Sequence, residues 1–490
     1  MADEDGKPRV VVDQFGKRTV SWSAEVADGG LTTIQHEFPD AVQHFYQGEG
    51  VDEDVWLYQG ELSGAEGDTD YEGDVRWRWR PSPHLEVRGT RPTRASDLQG
   101  VLSASSSMWV QPLTLGIDLP GGALPRQPVG SVVSASNQGY SIKSRVEQEL
   151  GDSAGLERVT FFVPNGWDGH DGSGICDPAD LKRWWYGRTE AVGGGWRVTF
   201  DRLDEMDQDT WRELEALGGH RFTHVGSLIR DDGSIFSGTE AFEVFDRVRL
   251  GLNLALGRRT TCALPVGWRG IDPVWCRWRS APIDAYRSIT SSSHWLDETI
   301  AHQQVGEIVA LVLDFTDDIA NRAALRSALA YYVTANVDVQ VELSVAIPVS
   351  GLQLLAYYRF VTERSAYSEN AWKEINIEAQ LRLLLDDIEV DTALHPHFRR
   401  LIDARDRLAL TGASRDALGV VVKMRNVVTH PTREKPDAFN VYAWAEAGMN
   451  ARYWLCLALL NTVGWQGELA DVMGAEPRWP GQLRRSPWAP

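Results

Sequence analysis

The sequence changes texture once, near residue 290, and that change limits what the chain can fold into. Before it, short runs alternate apolar and polar residues, as in Val75-Arg-Trp-Arg-Trp-Arg80 and Gly195-Trp-Arg-Val-Thr-Phe200, between clusters of Gly, Asp and Pro. A period of two puts alternate side chains on opposite faces of a strand, so this part reads as mainly β. Thirteen of the twenty tryptophans lie here, which suits sandwich or barrel cores. Two helices interrupt the strands, one over 207–217 and one over 240–256, where Phe242, Phe245, Val248, Leu252 and Leu256 recur at helical spacing. Segments 60–70 and 103–107 read as loops, and the glycines at 193–195 as a hairpin turn before a strand starting at Trp196.

After residue 295 glycine becomes rare and long apolar-periodic segments take over, at 320–337, 341–364, 369–387, 396–408, 414–429 and 438–463. Short loops between such segments predict an antiparallel helical bundle. Pro348 should kink or split the second segment. The run 307–315 fits helix or strand equally well. The expected fold class is therefore α+β: a β-rich region over 1–290, of one or two subdomains, a linker or connecting helix over 291–319, and an all-helical domain over 320–470. The serine-rich run 288–293 marks the boundary, and 471–490, ending in Pro, Arg and Trp, reads as a flexible tail.

A length of 490 residues allows two or three domains, and 43% hydrophobic residues is ample for buried cores. The charged N-terminus leads into no apolar stretch of signal-peptide type, and no apolar run approaches the roughly 20 residues of a membrane span. Four scattered cysteines (Cys176, Cys262, Cys276, Cys456) form no CxxC pair, which argues for reduced thiols and against a zinc site. The expectation is a cytoplasmic protein with no membrane partner and no cofactor.

A net charge of −20 disfavours a general nucleic-acid coat. Within 395–435 the balance reverses. Nine basic residues (Arg399, Arg400, Arg405, Arg407, Arg415, Lys423, Arg425, Arg433, Lys435) face four acids (Asp403, Asp406, Asp416, Glu434), a local excess of +5. In that stretch Ser414 can cap a helix with a core stripe of Leu418, Val421, Val422 and Val428. The helix carries Arg425 and Asn426 and should end at His430, because Pro431 disfavours helical geometry at the residue before it. On an unbroken helix Arg425 and His430 would point about 140° apart. A helix that stops at His430 lets the imidazole turn back towards the guanidinium.

Metal-free RNA cleavage needs groups of these types. Arginine supplies a fork for phosphate oxygens. A histidine, titrating near neutrality, can give or take a proton, and the negative helix end favours its charged form. An amide can orient either partner. One protomer offers a single set, so the chemistry predicts a composite site in a homodimer. The segment Arg425-Asn426-Val-Val-Thr-His430, late in a helical domain, resembles the Arg-polar-x(3–5)-His signature of HEPN ribonucleases. The resemblance covers about residues 320–470 and implies catalytic roles for Arg425, Asn426 and His430. A β-rich region before such a domain is also similar to ApeA-type abortive-infection proteins, as are 242–259, Pro265-Val-Gly-Trp-Arg-Gly270 and Val274-Trp-Cys-Arg-Trp278. That likeness implies antiphage or stress defence, RNA (tRNA among the candidates) as substrate, and a phage-derived trigger. Lys423, Arg433, Lys435, Arg399 and Arg400 are the expected RNA-binding residues.

The Arg…His spacing is weak evidence alone, since Arg78…His84 and Arg287…His294 match it too, and about three chance matches are expected. Context separates the third: an adjacent Asn, a helix end and the local basic excess. The loop 165–177 crowds Asp168, His170, Asp171, Cys176 and Asp177 without the spacing of a known metal motif. It reads as a turn-rich loop, with a metal hydrolase as a third-ranked alternative. His220 and His224, and His395 and His397, read as structural or surface residues. The main alternative to a ribonuclease is a non-catalytic, dimerising protein whose Trp-rich region binds a glycan or a protein.

Overall fold

The computed structural model of the chain describes residues 9–489 apart from 13–17, 26–30, 38, 45, 47–49, 65–69, 92–108, 120–121, 137–138, 146–147, 178, 181–182, 289–294, 338, 431–438, 471 and 474–478. A β-rich part precedes a helical part, and two compact units result: Met1–Glu243 with Thr260–Arg287, and Val244–Arg259 with Ser288–Pro490.

Three antiparallel assemblies make up the first unit. Strands Arg9–Val12, Arg18–Glu25 and Leu31–Glu37 form a small sheet. Six more close a barrel, in which Val55–Gly64 pairs with both Asp70–Arg78 and Trp109–Leu119. An eight-stranded sheet follows, with Arg158–Pro164 and Phe222–Arg230 at its centre. Barrel and sheet share one core: Trp77 and Trp79 meet Phe222, which stacks on Phe162 at 4.7 Å. The alternation around residues 75–80 and 195–200 thus does place tryptophans inward, with Trp77 0% and Trp196 4% exposed. The hairpin at Gly194 and Gly195 has φ values of 57° and 77°, the left-handed pair that a two-residue turn requires. The loop expected at 60–70 is shorter than the composition suggests, because Val55–Gly64 extends into it and the next strand begins at Asp70. The loop expected at 103–107 lies outside the described residues.

The helix Gly238–Leu256 opens with a reciprocal capping box: Ser237 N–H donates to Glu240, and Glu240 N–H to the Ser237 hydroxyl. From Val244 onwards it belongs to the second unit, not to the region ending at 290. Leu252, Leu254 and Ala255 are fully buried, and a Cβ on Gly251 would lie 3.0 Å from the Val309 backbone. Its partner there is the helix Ala301–Phe315, which settles the ambiguous run 307–315 as helix. The segment 291–319 is therefore core of the helical unit over much of its length, with Val305, Ile308, Val309 and Val312 all 0% exposed.

The remaining helices fall close to the expected segments, with three informative departures. Pro348 lies inside an unsplit helix, Leu343–Tyr357, which continues as a π-helical turn over Tyr358–Glu363. That helix crosses Val441–Thr462 at glycines: a Cβ on Gly448 would lie 2.3 Å from the Ser344 hydroxyl. The segment 369–387 is two helices, Glu369–Lys373 and Ile377–Asp387, because Ser368 and Asn376 each cap a new N-terminus. The described part of the tail, 479–489, is held in place. Leu483–Arg485 pairs with Glu468–Ala470, Gly481 N–H donates to buried Asp297, and the Trp488 indole donates to the Trp465 carbonyl. None of the four cysteines forms a disulfide, and no helix of the described residues is long and apolar enough to cross a membrane.

A candidate active site at the end of a helix

The helix Ala417–Thr429 carries the Arg-Asn-x-x-x-His motif. Its N-cap is Asp416, not Ser414, which sits in a preceding turn of 3-10 helix. Asp416 accepts from Gly419 N–H at 2.9 Å, Arg382 at 2.6 Å and the Thr392 hydroxyl at 2.7 Å. Burial opposes ionisation of this carboxyl, but those donors outweigh it and hold its pKa below the usual range. Gly419 is required beside the turn, since a Cβ would lie 2.2 Å from the Ser414 carbonyl.

At the other end the helix stops where the sequence predicts. His430 is extended (φ −128°, ψ 143°), and its N–H closes the last turn onto Asn426 O at 3.0 Å. The imidazole therefore folds back, and its Nε2 lies 3.4 Å from Arg425 Nη1. The same Nη1 donates to Asn426 Oδ1 at 3.2 Å. Thr429 donates its hydroxyl to the Arg425 carbonyl and ties down the final turn. The sequence motif is thus a contiguous cluster in space.

The electrostatics of Arg425 follow from its burial. Its guanidinium is partly buried, its Nε has no hydrogen-bond partner among the described residues, and burial lowers its pKa. Among the described residues no carboxylate pairs with it. A half-buried guanidinium with no carboxylate partner among the described residues, beside an exposed imidazole, is suited to receive an oxyanion such as a phosphate.

The other expected RNA-binding residues are less tightly gathered. Lys423 is exposed on the same helix. Arg399 and Arg400 are exposed in the first turn of a separate helix, Arg399–Arg407, where Arg400 pairs with Asp403 and Leu401 N–H donates to Glu446. No hydrogen bond or ion pair among the described residues joins them to Arg425. Arg433 and Lys435 lie outside the described residues.

Where they are described, the competing candidates have structural partners. Arg78 pairs with Glu86 at 2.8 Å and Asp54 at 3.2 Å, while His84 Nδ1 is 2.6 Å from the Ser82 carbonyl. His294, of the third spacing match, lies outside the described residues. In the 165–177 loop, Asn165 bonds Gly219 O, Asp284 O and Arg221 N–H, and Trp167 stacks on His224 at 4.0 Å. Burial raises the pKa of Asp168. Among the described residues no three His, Cys, Asp or Glu side chains gather as a metal site. His220 contacts Asp52 at 3.0 Å and does not converge with His224. His395 and His397 stack at 5.7 Å, and His397 lies on Phe398.

Sequence reasoning missed a polar group inside the helical unit. Asn450 and Tyr453 are 2% and 8% exposed on the apolar helix Val441–Thr462, beside Arg484 from the supposed tail. Their polar groups among the helix's buried apolar residues were the available signal.

Comparison with known proteins follows the same division. Residues 151–289, most of the eight-stranded sheet, match the YopA central domain, and residues 318–483 match the YopA C-terminal domain. The SPbeta prophage-derived uncharacterized protein YopA of Bacillus subtilis (strain 168) is 24% identical over 287 residues, which is 58% of this chain and 62% of that protein. No solved structure matches the chain. Through both its sheet-forming and its helical part, the chain is similar to YopA.

Proposed function

We propose that the helical unit is a metal-independent endoribonuclease of the HEPN type, centred on Arg425, Asn426 and His430. The observation that carries this reading is the guanidinium of Arg425, half-buried, without a carboxylate among the described residues, and 3.4 Å from His430 Nε2. The substrate is RNA, with tRNA as the first to test. The 2′-oxygen attacks the adjacent phosphorus and the P–O5′ bond breaks, leaving a 2′,3′-cyclic phosphate and a 5′-hydroxyl. One imidazole takes the 2′-hydroxyl proton and a second, protonated imidazole donates to O5′. Two copies of His430 across a homodimer supply both, while Arg425 neutralises the phosphorane charge. Asn426 orients the guanidinium through its 3.2 Å contact. Lys423, Arg399 and Arg400 extend the cationic surface, and the net charge of −20 keeps RNA from the rest of the chain. YopA is named as prophage-derived, which supports a place for this activity in conflict between phage and host or in stress defence. The β-rich unit then senses a trigger and restrains the ribonuclease.

Incubation of total RNA and of tRNA with the full chain in EDTA tests the reading. Cleavage with cyclic-phosphate ends is expected for the wild type, and none for Arg425→Ala or His430→Ala. Intact RNA with folded, dimeric wild type, in extracts of both resting and phage-infected cells, sinks it.

A further inference from the structure

The β-rich unit holds a cavity of about 480 Å³, within the range of roughly 300–1,000 Å³ usual for small-molecule sites. Val225 and Trp268 of the eight-stranded sheet form its buried floor, at 3% and 5% exposure. Trp185, Arg202 and Glu205 line it as well, and the segment 41–44 completes it. We propose that this cavity binds a neutral, polyhydroxylated ring, a monosaccharide or the ribose of a nucleoside, with the indoles of Trp185 and Trp268 against its C–H faces.

The lining is tied together before any ligand arrives. Ala41 N–H donates to the Cys176 carbonyl at 2.8 Å, and Cys176 N–H to the Pro39 carbonyl at 3.0 Å. Val42 N–H donates to Asp201 at 2.7 Å, and Arg188 donates to the Asp40 carbonyl at 2.6 Å. Asp201 is 0% exposed and spends both carboxylate oxygens on Val42 and the Arg188 fork. It holds the wall and is not a partner for a ligand. Both indole N–H groups are committed too, that of Trp185 to the Arg202 carbonyl at 2.7 Å and that of Trp268 to Thr160 at 2.9 Å. What these residues offer the cavity is ring surface. The C–H bonds of a sugar, polarised by the neighbouring oxygens, suit the negative face of an indole. A site already in place spares the ligand the cost of ordering it.

Charge narrows the ligand further. With Asp201 set against Arg188, three carboxylates of the lining (Asp177, Asp204, Glu205) stand against two guanidiniums (Arg183, Arg202). Arg183 pairs with Asp204 and lies 3.9 Å from Asp177. Burial lowers the pKa of Arg202, and Asp168 and Asp204 oppose that shift. No net positive charge is left to hold an anion, and two guanidiniums in the wall oppose a cation. Hydrogen-bonding capacity of both kinds remains. Arg202 Nε is a buried donor with no hydrogen-bond partner among the described residues. His44 Nδ1 lies 3.1 Å from the Tyr46 carbonyl, which only accepts, so in the neutral ring Nε2 is an acceptor. The Glu205 carboxylate, exposed at the rim, accepts as well. A hydroxyl both donates and accepts, so a ring bearing several satisfies donors and acceptors set side by side. An acceptor-only anion or a donor-only cation does not.

Titration calorimetry of the full chain with glucose, ribose and adenosine tests this, with inorganic phosphate and spermidine as comparators. A Kd of about 1 mM or tighter is expected for at least one of the first three. Binding of glucose or ribose identifies a free sugar, and binding of adenosine alone a nucleoside. Trp185→Leu should weaken that binding at least about tenfold, and Arg202→Gln about tenfold. Glu205→Gln, at an exposed position, keeps the test valid should either of those changes unfold the chain, and should weaken binding about threefold. Trp56→Leu, which removes a 45%-exposed indole from the barrel, should leave it unchanged. Binding of phosphate or spermidine in place of the three, binding that none of the three cavity variants weakens, binding lost equally in Trp56→Leu, or no binding of any probe would each overturn the proposal. Its failure leaves the ribonuclease reading untouched, because that reading rests on Arg425 in the other unit.

Discussion

Two arginines, each followed within six positions by a histidine, end in opposite surroundings. Arg78, in the barrel, is clamped between Asp54 and Glu86, and His84 is occupied by a backbone carbonyl. Arg425, in the helical unit, has an imidazole and an amide where Arg78 has carboxylates. The first guanidinium is neutralised and serves the fold. The second has no carboxylate partner among the described residues. Spacing is the same in kind at both places, so the two arginines differ by their neighbours and not by their motif.

The largest expected effect breaks the pair by changing shape at constant charge. Arg425→Lys keeps a cation but loses the planar fork, and His430→Gln keeps a hydrogen-bonding group but loses the proton. Each should lower RNA cleavage by about 10²–10⁴-fold, the usual contribution of positioned acid–base and anion-binding groups. Near-wild-type turnover of Arg425→Lys would mean that any positive charge suffices there. Stability separates the two sites in the reverse direction. Arg78→Ala removes an ion pair from Glu86, which is 1% exposed, and should cost about 3 kcal/mol in urea unfolding. Arg425→Ala strands no carboxylate and should cost under about 1 kcal/mol. Equal losses would erase the distinction.

Local rules made one half of this contrast legible from sequence and tertiary context hid the other. Pro431 disfavours helix at His430, so the reversal of the imidazole follows from two adjacent residues. That no described carboxylate reaches Arg425 depends on how distant segments pack, and no spacing encodes it. The same limit explains the N-cap. Ser414 and Asp416 are both good caps, and the choice is made by Arg382 and Thr392, 34 and 24 positions away. The stripe of 240–256 announced a helix, yet not that its second half joins the helical unit, since periodicity gives a face and not its partner. Composition failed most clearly at the C-terminus, where Ser486 is 2% exposed and Gly481 is bonded to Asp297. Pro and Arg suggested disorder, while Trp488 among them donates its indole N–H to the Trp465 carbonyl; Trp479 stays 69% exposed.

A smaller effect tests the support beneath the motif. Asp416→Ala removes both a cap, about 1 kcal/mol, and a partly buried ion pair with Arg382, up to about 1 kcal/mol. Its carboxyl is held below the normal range in the folded chain, so this stabilisation is fully present above the unfolded pKa of about 3.9. It is lost as pH falls through the lower, folded value. The gap between wild type and Asp416→Ala in unfolding free energy should therefore be widest near neutrality and narrow in acid. A gap independent of pH would mean that the charge of the carboxylate contributes to neither the cap nor the pair.

The smallest change converts one site into the other. Asn426→Asp places a carboxylate where the Oδ1 already accepts from Arg425 Nη1 at 3.2 Å, and gives Arg425 the kind of partner Arg78 has. The guanidinium would then be neutralised from within. An incoming phosphate would meet a paired cation and a nearby negative charge, so RNA affinity and cleavage should both fall about tenfold, or about 1.4 kcal/mol. Stability should be unchanged or rise by a few tenths of a kcal/mol, the value of a partly exposed pair. The two readouts must move apart for the argument to stand. Loss of stability together with loss of activity would mean that Asn426 matters to the helix end itself. Full activity with the carboxylate in place would mean that the open counter-ion position at Arg425 is not what receives the RNA.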